Sequence, residues 1–295
     1  MDVLCDLFGI SRQAYHQYRG NAMEQAMQET IILNAVRECR TDQRTLGCRK
    51  LLLHITPLLA RLGIGIGRDA LFELLREHCL LVRRRRRKAQ TTDSNHPYRK
   101  YKNLIKPFTP LKANQLWVSD ITYIDTGEGF FHLFLITDAY SHKIVGYCPS
   151  LTLEASSAVA ALQMALLGLL PGERPIHHSD RGSQYCSATY VALLKRHKLP
   201  ISMTESSDPC DNAIAERVNG IFKNELMPEN IPTKQSGFES THYFINIYND
   251  VRLHSSVDML TPNVAHHKTG PLKNHWRPKG GRMQAIESLE AKHPG

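Results

Sequence analysis

The sequence predicts an α/β protein: a mixed five-stranded sheet with helices, preceded by an all-α region. Two changes of pattern carry that expectation. Up to about residue 80 the apolar residues recur at helical spacing, whereas from Leu116 they alternate as in strands. Beyond Glu154 helical and strand-like stretches follow one another in turn, which is the order that brings later strands in parallel to earlier ones.

Residues 3–18 read as a short helical pair, the second member capped by Ser11. Three apolar stripes follow: Ile31, Ile32, Ala35, Val36 and Cys39; Leu51, Leu52, Ile55, Leu58 and Leu59; Leu71, Leu74, Leu75 and Leu80. The glycine-punctuated turn from Leu62 to Gly67 leads into a third helix opened by Arg68 and Asp69, placed as a recognition helix would be. Residues 1–90 are thus expected to form a helix-turn-helix region that binds DNA, with a helical bundle lacking DNA contact as the plain alternative. The run Arg83, Arg84, Arg85, Arg86, Arg87, Lys88 is expected to track phosphates, and 91–112 to be a basic linker. A core is expected over 113–270, followed by a tail over 271–295.

Composition narrows the classes. With 42% hydrophobic and 22% charged residues, 295 residues are enough for two domains and a substantial core. No apolar run is long enough to span a bilayer, and the N-terminus lacks a secretory pattern, so a cytoplasmic, nucleoid-associated protein is expected. Seven scattered cysteines without a Cys-x-x-Cys pair point to neither a disulfide framework nor a zinc knuckle. The net charge of +9 is uneven: residues 1–112 carry 21 Lys/Arg against 10 Asp/Glu, and the remainder 16 against 18. A basic module joined to a near-neutral one fits polyanion binding through counterion release.

Strands are expected over Leu116–Ile124, Phe130–Asp138 and Lys143–Pro149 as an antiparallel meander. A helix over Glu154–Leu170, a strand over Pro175–Ser179, a helix over Ala188–His197, a strand over Ile201–Thr204 and a helix over Asn212–Leu226 complete a ribonuclease H-like arrangement.

This topology gathers three carboxylates: Asp120 within the first strand, Asp180 just past the fourth, and Glu216 on the helix after the fifth. A charge inside a strand is disfavoured by burial unless something compensates it, and a bound cation does so. Two carboxylates about 4 Å apart repel by roughly 4 kcal/mol at an effective dielectric near 20. Hard oxygen ligands point to Mg²⁺ or Mn²⁺, two ions, rather than zinc. His177 and His178 flank the site without needing to bind metal. Asp125, Asp138, Asp208 and Asp211 are explained by turns and helix capping, as is Asn212. Lys223, seven residues after Glu216, falls about 20° from its azimuth on an α-helix, giving one face a ligand and a phosphate anchor.

The stretch from His178 to Tyr185, then Asp211-Asn212-Ala213 and Ala215-Glu216, resembles the core of OrfB-type insertion-sequence transposases, which have a retroviral-integrase-like Asp-Asp-Glu core. The 35 residues between Asp180 and Glu216, the basic Lys223, the strand Trp117 to Ile124, Ser141 to Gly146, and Tyr248-Asn249 through Arg252 and His254 to Thr261-Pro262 extend the resemblance over about 115–265. It departs at Cys48, where the family often has an aromatic residue, and at Val257-Asp258-Met259, where Leu-Gly-Tyr is usual. The resemblance implies a metal-dependent DNA transposase with Asp120, Asp180 and Glu216 as catalytic and metal-binding residues. It implies Lys223 and Arg252 as DNA contacts, beside Arg68 and the 83–88 run read from the helix pattern and the charge run. Double-stranded DNA is the implied partner, with a homo-oligomer on DNA and an upstream-frame helix-turn-helix protein as further ones. A nuclease without strand transfer and a catalytically dead DNA-binding regulator are the alternatives.

Overall fold

Five strands form one sheet in the order β3-β2-β1-β4-β5. They are β1 (Leu116–Thr126), β2 (Gly129–Asp138), β3 (Ile144–Ser150), β4 (Ile176–Ser179) and β5 (Ile201–Met203). The first three are antiparallel, and β4 and β5 run parallel to β1, the ribonuclease H-like topology. The computed structural model describes residues 7, 9, 11–82, 98–106, 108–205 and 212–275. Residues 83–88, Asp208, Asp211, most of the first helix expected before Ser11 and the tail from 276 on lie outside the described residues.

Alternation along β2 explains why both faces of the sheet are covered. Phe131, Leu133 and Leu135 face one side, packing with Val218, Ile221, Phe222, Ile245 and Tyr248. Phe134 and Ile136 face the other, packing with Trp117, Ala161, Leu162, Tyr190 and Leu194. The first layer belongs to α7 (Ala213–Ile221) and α8 (Lys234–Asn246), and the second to α4 (Ala155–Leu167) and α6 (Ala188–Arg196). A short α5 (Ser183–Cys186) precedes α6, and α9 (Pro262–His266) follows α8. Gly146 lets α4 lie flush on β3, since a Cβ there would come within 2.2 Å of the Ala161 carbonyl oxygen.

Before the sheet, α1 (Arg12–Asp42), α2 (Cys48–Arg61) and α3 (Arg68–Glu77) enclose their own core of Ile32, Val36, Leu51, Ile55, Leu59, Leu71 and Leu75. The Ser11 hydroxyl accepts from Ala14 N at 3.0 Å, so the cap is where the sequence put it. The helix it starts is one continuous rod of 31 residues rather than two, because nothing between Tyr18 and Ile31 breaks it: Gly20 is tolerated and no proline intervenes.

Two expected boundaries change. Residues 98–112 are more than a linker: Ile105 and Phe108 pack on Leu116 and Val118, and Leu104 N donates to Ser202 Oγ at 2.9 Å. The start of the expected tail is also fastened, with Asp258 N donating to Lys273 O and His275 N to Ser255 O. Helix α8 was not anticipated; Thr233 and Ser236 start it with a reciprocal capping box.

Candidate active site

The pairing of β1 with β4 sets the site. Ser119 and Ser179 are partners in the parallel ladder, so Asp120 and Asp180 follow at the same level on adjacent chains. Asp120 lies opposite Leu135, a residue of the layer packed against α7, and its side chain therefore points toward that helix. There Asn219 Nδ2 donates to Asp120 Oδ2 at 2.7 Å, while Ile121 N donates to Oδ1 at 2.9 Å. Asp180 Oδ1 accepts from Gly182 N at 2.9 Å, a tight loop in which a Cβ on residue 182 would come within 3.0 Å of the same oxygen. Glu216 is exposed in the first turn of α7, three residues before Asn219.

Burial first, then the charge of Asp180, and more weakly that of Glu216, push the Asp120 carboxyl up to about 7, against the two donors that hold it ionised. Asp180 and Glu216 thus both act electrostatically on Asp120. Among the described residues no three His, Cys, Asp or Glu side chains converge closely enough to enclose one ion. The donor set nevertheless fits hard divalent cations: the Asp180 and Glu216 carboxylates act on Asp120, and the buried side-chain oxygen of Asn219, whose nitrogen holds Asp120, has no hydrogen-bond partner among the described residues.

Behind the carboxylates lies a polar layer. The hydroxyls of Ser119 and Tyr190 both sit at His177 Nε2, at 2.8 and 2.7 Å, and Ser202 Oγ sits 2.8 Å from His178 Nδ1. Burial, with His178 beside it, lowers His177 to about 3, so this ring stays neutral and braces β1 against β4 and α6.

Two matches to an integrase core domain cover residues 110–209 and 197–262. The chain is 34% identical over 265 residues to the insertion element IS600 uncharacterized 31 kDa protein of Shigella sonnei, spanning 88% of this chain and 96% of that one. The chain belongs to the insertion-sequence transposases with an integrase-like core. It is also 33% identical over 196 residues to the transposase for insertion sequence element IS629 of Shigella sonnei, covering 66% of each chain. Among solved structures it is similar to the simian T-cell lymphotropic virus intasome in complex with PP2A regulatory subunit B56 gamma. That likeness has a TM-score of 0.46 and 17% identity, over 84% of this chain and 77% of the other.

Of the cations expected to meet DNA, Arg68 is exposed at the start of α3 and donates to both oxygens of Asp69, at 2.8 and 3.1 Å. Lys223 lies 3.9 Å from Asp125 through its ammonium. It does not follow Glu216 along a regular α-helix, because α7 gives way to a π-helical turn over Phe222–Leu226. The azimuth worked at 3.6 residues per turn therefore does not apply beyond Ile221. Arg252 corrects its expectation outright. It is 2% exposed and paired with Glu225, within reach of His254, so its charge is already engaged in tying the chain after α8 to the π-turn.

Asn212 also differs from its expected role as a cap. It makes no side-chain cap bond, and its amide donates instead to Ser119 O at 3.1 Å, fixing the start of α7 beside Asp120. Asn219 was missed altogether. Its only sequence signal is its place three residues after Glu216, where an α-helix returns to the same face. At the departure from the family pattern, Asp258 and Met259 hold φ of +58° and +57°, the region that the usual glycine would enter freely.

Proposed function

We propose that the chain cleaves DNA strands at the ends of its insertion sequence and joins the resulting 3′-ends to target DNA, with Asp120, Asp180 and Glu216 as the catalytic carboxylates. The observation that carries the reading is the ladder that brings Asp120 level with Asp180, with Glu216 adding charge from α7. Asp120 and Asp180 would hold Mg²⁺ or Mn²⁺ as principal ligands, and Glu216 would complete a second position. Two such ions, when bound, supply charge neutralisation at the reacting phosphodiester and lower the barrier to in-line displacement.

The chain's own contribution is position. Asn219 fixes the rotation of the Asp120 carboxylate, Gly182 N fixes that of Asp180, and Asn212 locks the helix that carries Glu216 onto β1. The integrase-like relatives support a polynucleotidyl transferase, and joining two ends calls for at least two copies on DNA. Arg68, Lys223 and the 83–88 run are proposed DNA contacts. An upstream-frame helix-turn-helix protein is a proposed partner.

The test incubates the full chain, alone and joined to its upstream-frame product, with its element ends and Mg²⁺, and sequences the junctions. New junctions that disappear in Asp180→Asn and Glu216→Gln, and in EDTA, are expected. Shortened ends without junctions from either form would replace strand transfer by hydrolysis alone.

A further inference from the structure

We propose that the cleft between the N-terminal helices and the core is a DNA-backbone site, in which Lys50 and Arg217 hold phosphodiester groups beside the catalytic carboxylates. The inference rests on the transposase reading and adds contacts that this reading does not supply.

The cleft is a cavity of 620 Å³ whose lining includes Arg49, Lys50, Arg68, Arg217, Glu225 and Arg252. Its acids are already engaged. Asp69, also on the lining, is held by Arg68, and Glu225 is held by buried Arg252 with Arg217 at 3.7 Å. The side chains of Lys50 and Arg49 form no hydrogen bond or ion pair with a described residue.

Lys50 is half-buried, and burial together with the Arg252 and Arg217 charges pulls its ammonium down to about 7, more than Glu225 restores. A partly enclosed group of cations with so little countercharge is costly until an anion enters. The occupant favoured is a polynucleotide. Besides the buried, Glu225-paired Arg252, four basic side chains (Arg49, Lys50, Arg68 and Arg217) are spread along the cavity and suit successive phosphates better than one small ion, and Arg217 follows Glu216 in sequence, so a strand held there runs along the helix that carries Glu216.

The polar links between the cleft walls include two hydrogen bonds: Arg44 donates to Met227 O, and Tyr243 Oη donates to Asp42 at 2.6 Å. Substituting Lys50 or Arg217 touches neither link.

The test uses the full chain in EDTA with a short fluorescent duplex, measuring anisotropy across a salt series. Each phosphate contact adds about 0.9 to the slope of log affinity against log salt, so the double variant Lys50→Met with Arg217→Gln should lower that slope by about two. Lys50→Arg should restore the share lost in Lys50→Met.

A second readout needs no variant. Trace acetylation followed by mass spectrometry should label Lys50 ahead of the exposed Lys195 at neutral pH, and the duplex should protect Lys50 alone of the two. An unchanged slope in a folded double variant, or Lys50 labelled equally with and without duplex, overturns the cleft site. Inorganic phosphate protecting as well as duplex at equal phosphate concentration overturns DNA as the occupant. In these cases duplex binding by wild type and by Asp180→Asn leaves the transposase reading standing, whereas a wild-type chain that binds no duplex removes both.

Discussion

Replacing Asp120 by asparagine should inactivate the protein and yet raise its melting temperature when no divalent cation is present. Moving a carboxyl from 3.8 to about 7 corresponds to about 4 kcal/mol of destabilisation of the folded, ionised state. Asparagine removes that charge but keeps one acceptor where the carboxylate offers two, one to Ile121 N and one to Asn219 Nδ2. The lost bond and the misdirected amide return about 2 kcal/mol of the gain. The remaining gain of about 2 kcal/mol corresponds to a rise of roughly 4–8 °C for a core of this size.

The sign with pH follows from linkage. The folded-state value lies above the unfolded one, so the native state binds more protons between them, and wild type loses stability as pH rises from about 4 to about 7. Asp120→Asn does not share that loss. Scanning calorimetry in EDTA should therefore find the variant below wild type in acid, where only the lost bond counts, and above it at pH 8. Adding Mg²⁺ should raise only wild type and narrow the gap. A variant that melts at or below wild type in EDTA at pH 8 would show that the carboxylates do not burden one another as the geometry requires.

Two further outcomes concern the scaffold. Gly146→Ala puts a methyl 2.2 Å from Ala161 O and 2.9 Å from Ala165 Cβ, so α4 must shift; urea unfolding should show a loss of about 1–3 kcal/mol, with activity reduced only through stability. Arg252→Met leaves Glu225 without its buried partner and should cost about 3 kcal/mol, while the salt slope of DNA binding stays at the wild-type value; a flattened slope in a stable variant would return Arg252 to the DNA surface.

The strands were legible because burial on a pleated sheet imprints a period of two, and Asp120 because a charge breaks that period. Asp180 and Glu216 were singled out by their motifs and spacing, and the β1–β4 ladder sets Asp180 level with Asp120. What escaped lies in contacts between distant residues. Nothing near Arg252 in sequence announces Glu225, and an arginine after Tyr248-Asn249 reads as a surface cation until its partner 27 residues earlier is in place. Asn219 and Asn212 are amides on a helix, which periodicity treats as solvent-facing, yet each spends its donor on β1. The π-helical turns at Phe222–Leu226 and Ile247–Val251 defeat any azimuth counted at α-helical pitch. Helix α8 hides because glycine and serine interrupt its apolar stripe; Gly237 is there so that Phe131 can press against the helix, with a Cβ-to-ring distance of only 2.5 Å were a side chain added.

The segment across residues 98–112 has a consequence for how this protein stays apart from its copies. β5 is the outermost strand on its side, and the rim of a sheet is a template onto which a foreign strand can add. Met203 N reaches Lys102 O at 3.4 Å, and Ser202 receives Leu104 N, so the chain lies along its own rim and occupies part of the template. With only three residues in β5, that cover leaves little of the rim for another molecule. A fragment cut at 113 would bare the rim along with the apolar places of Ile105 and Phe108, and would stick to itself. A core fragment that keeps this cover must therefore begin before Lys102, and not where the first strand does.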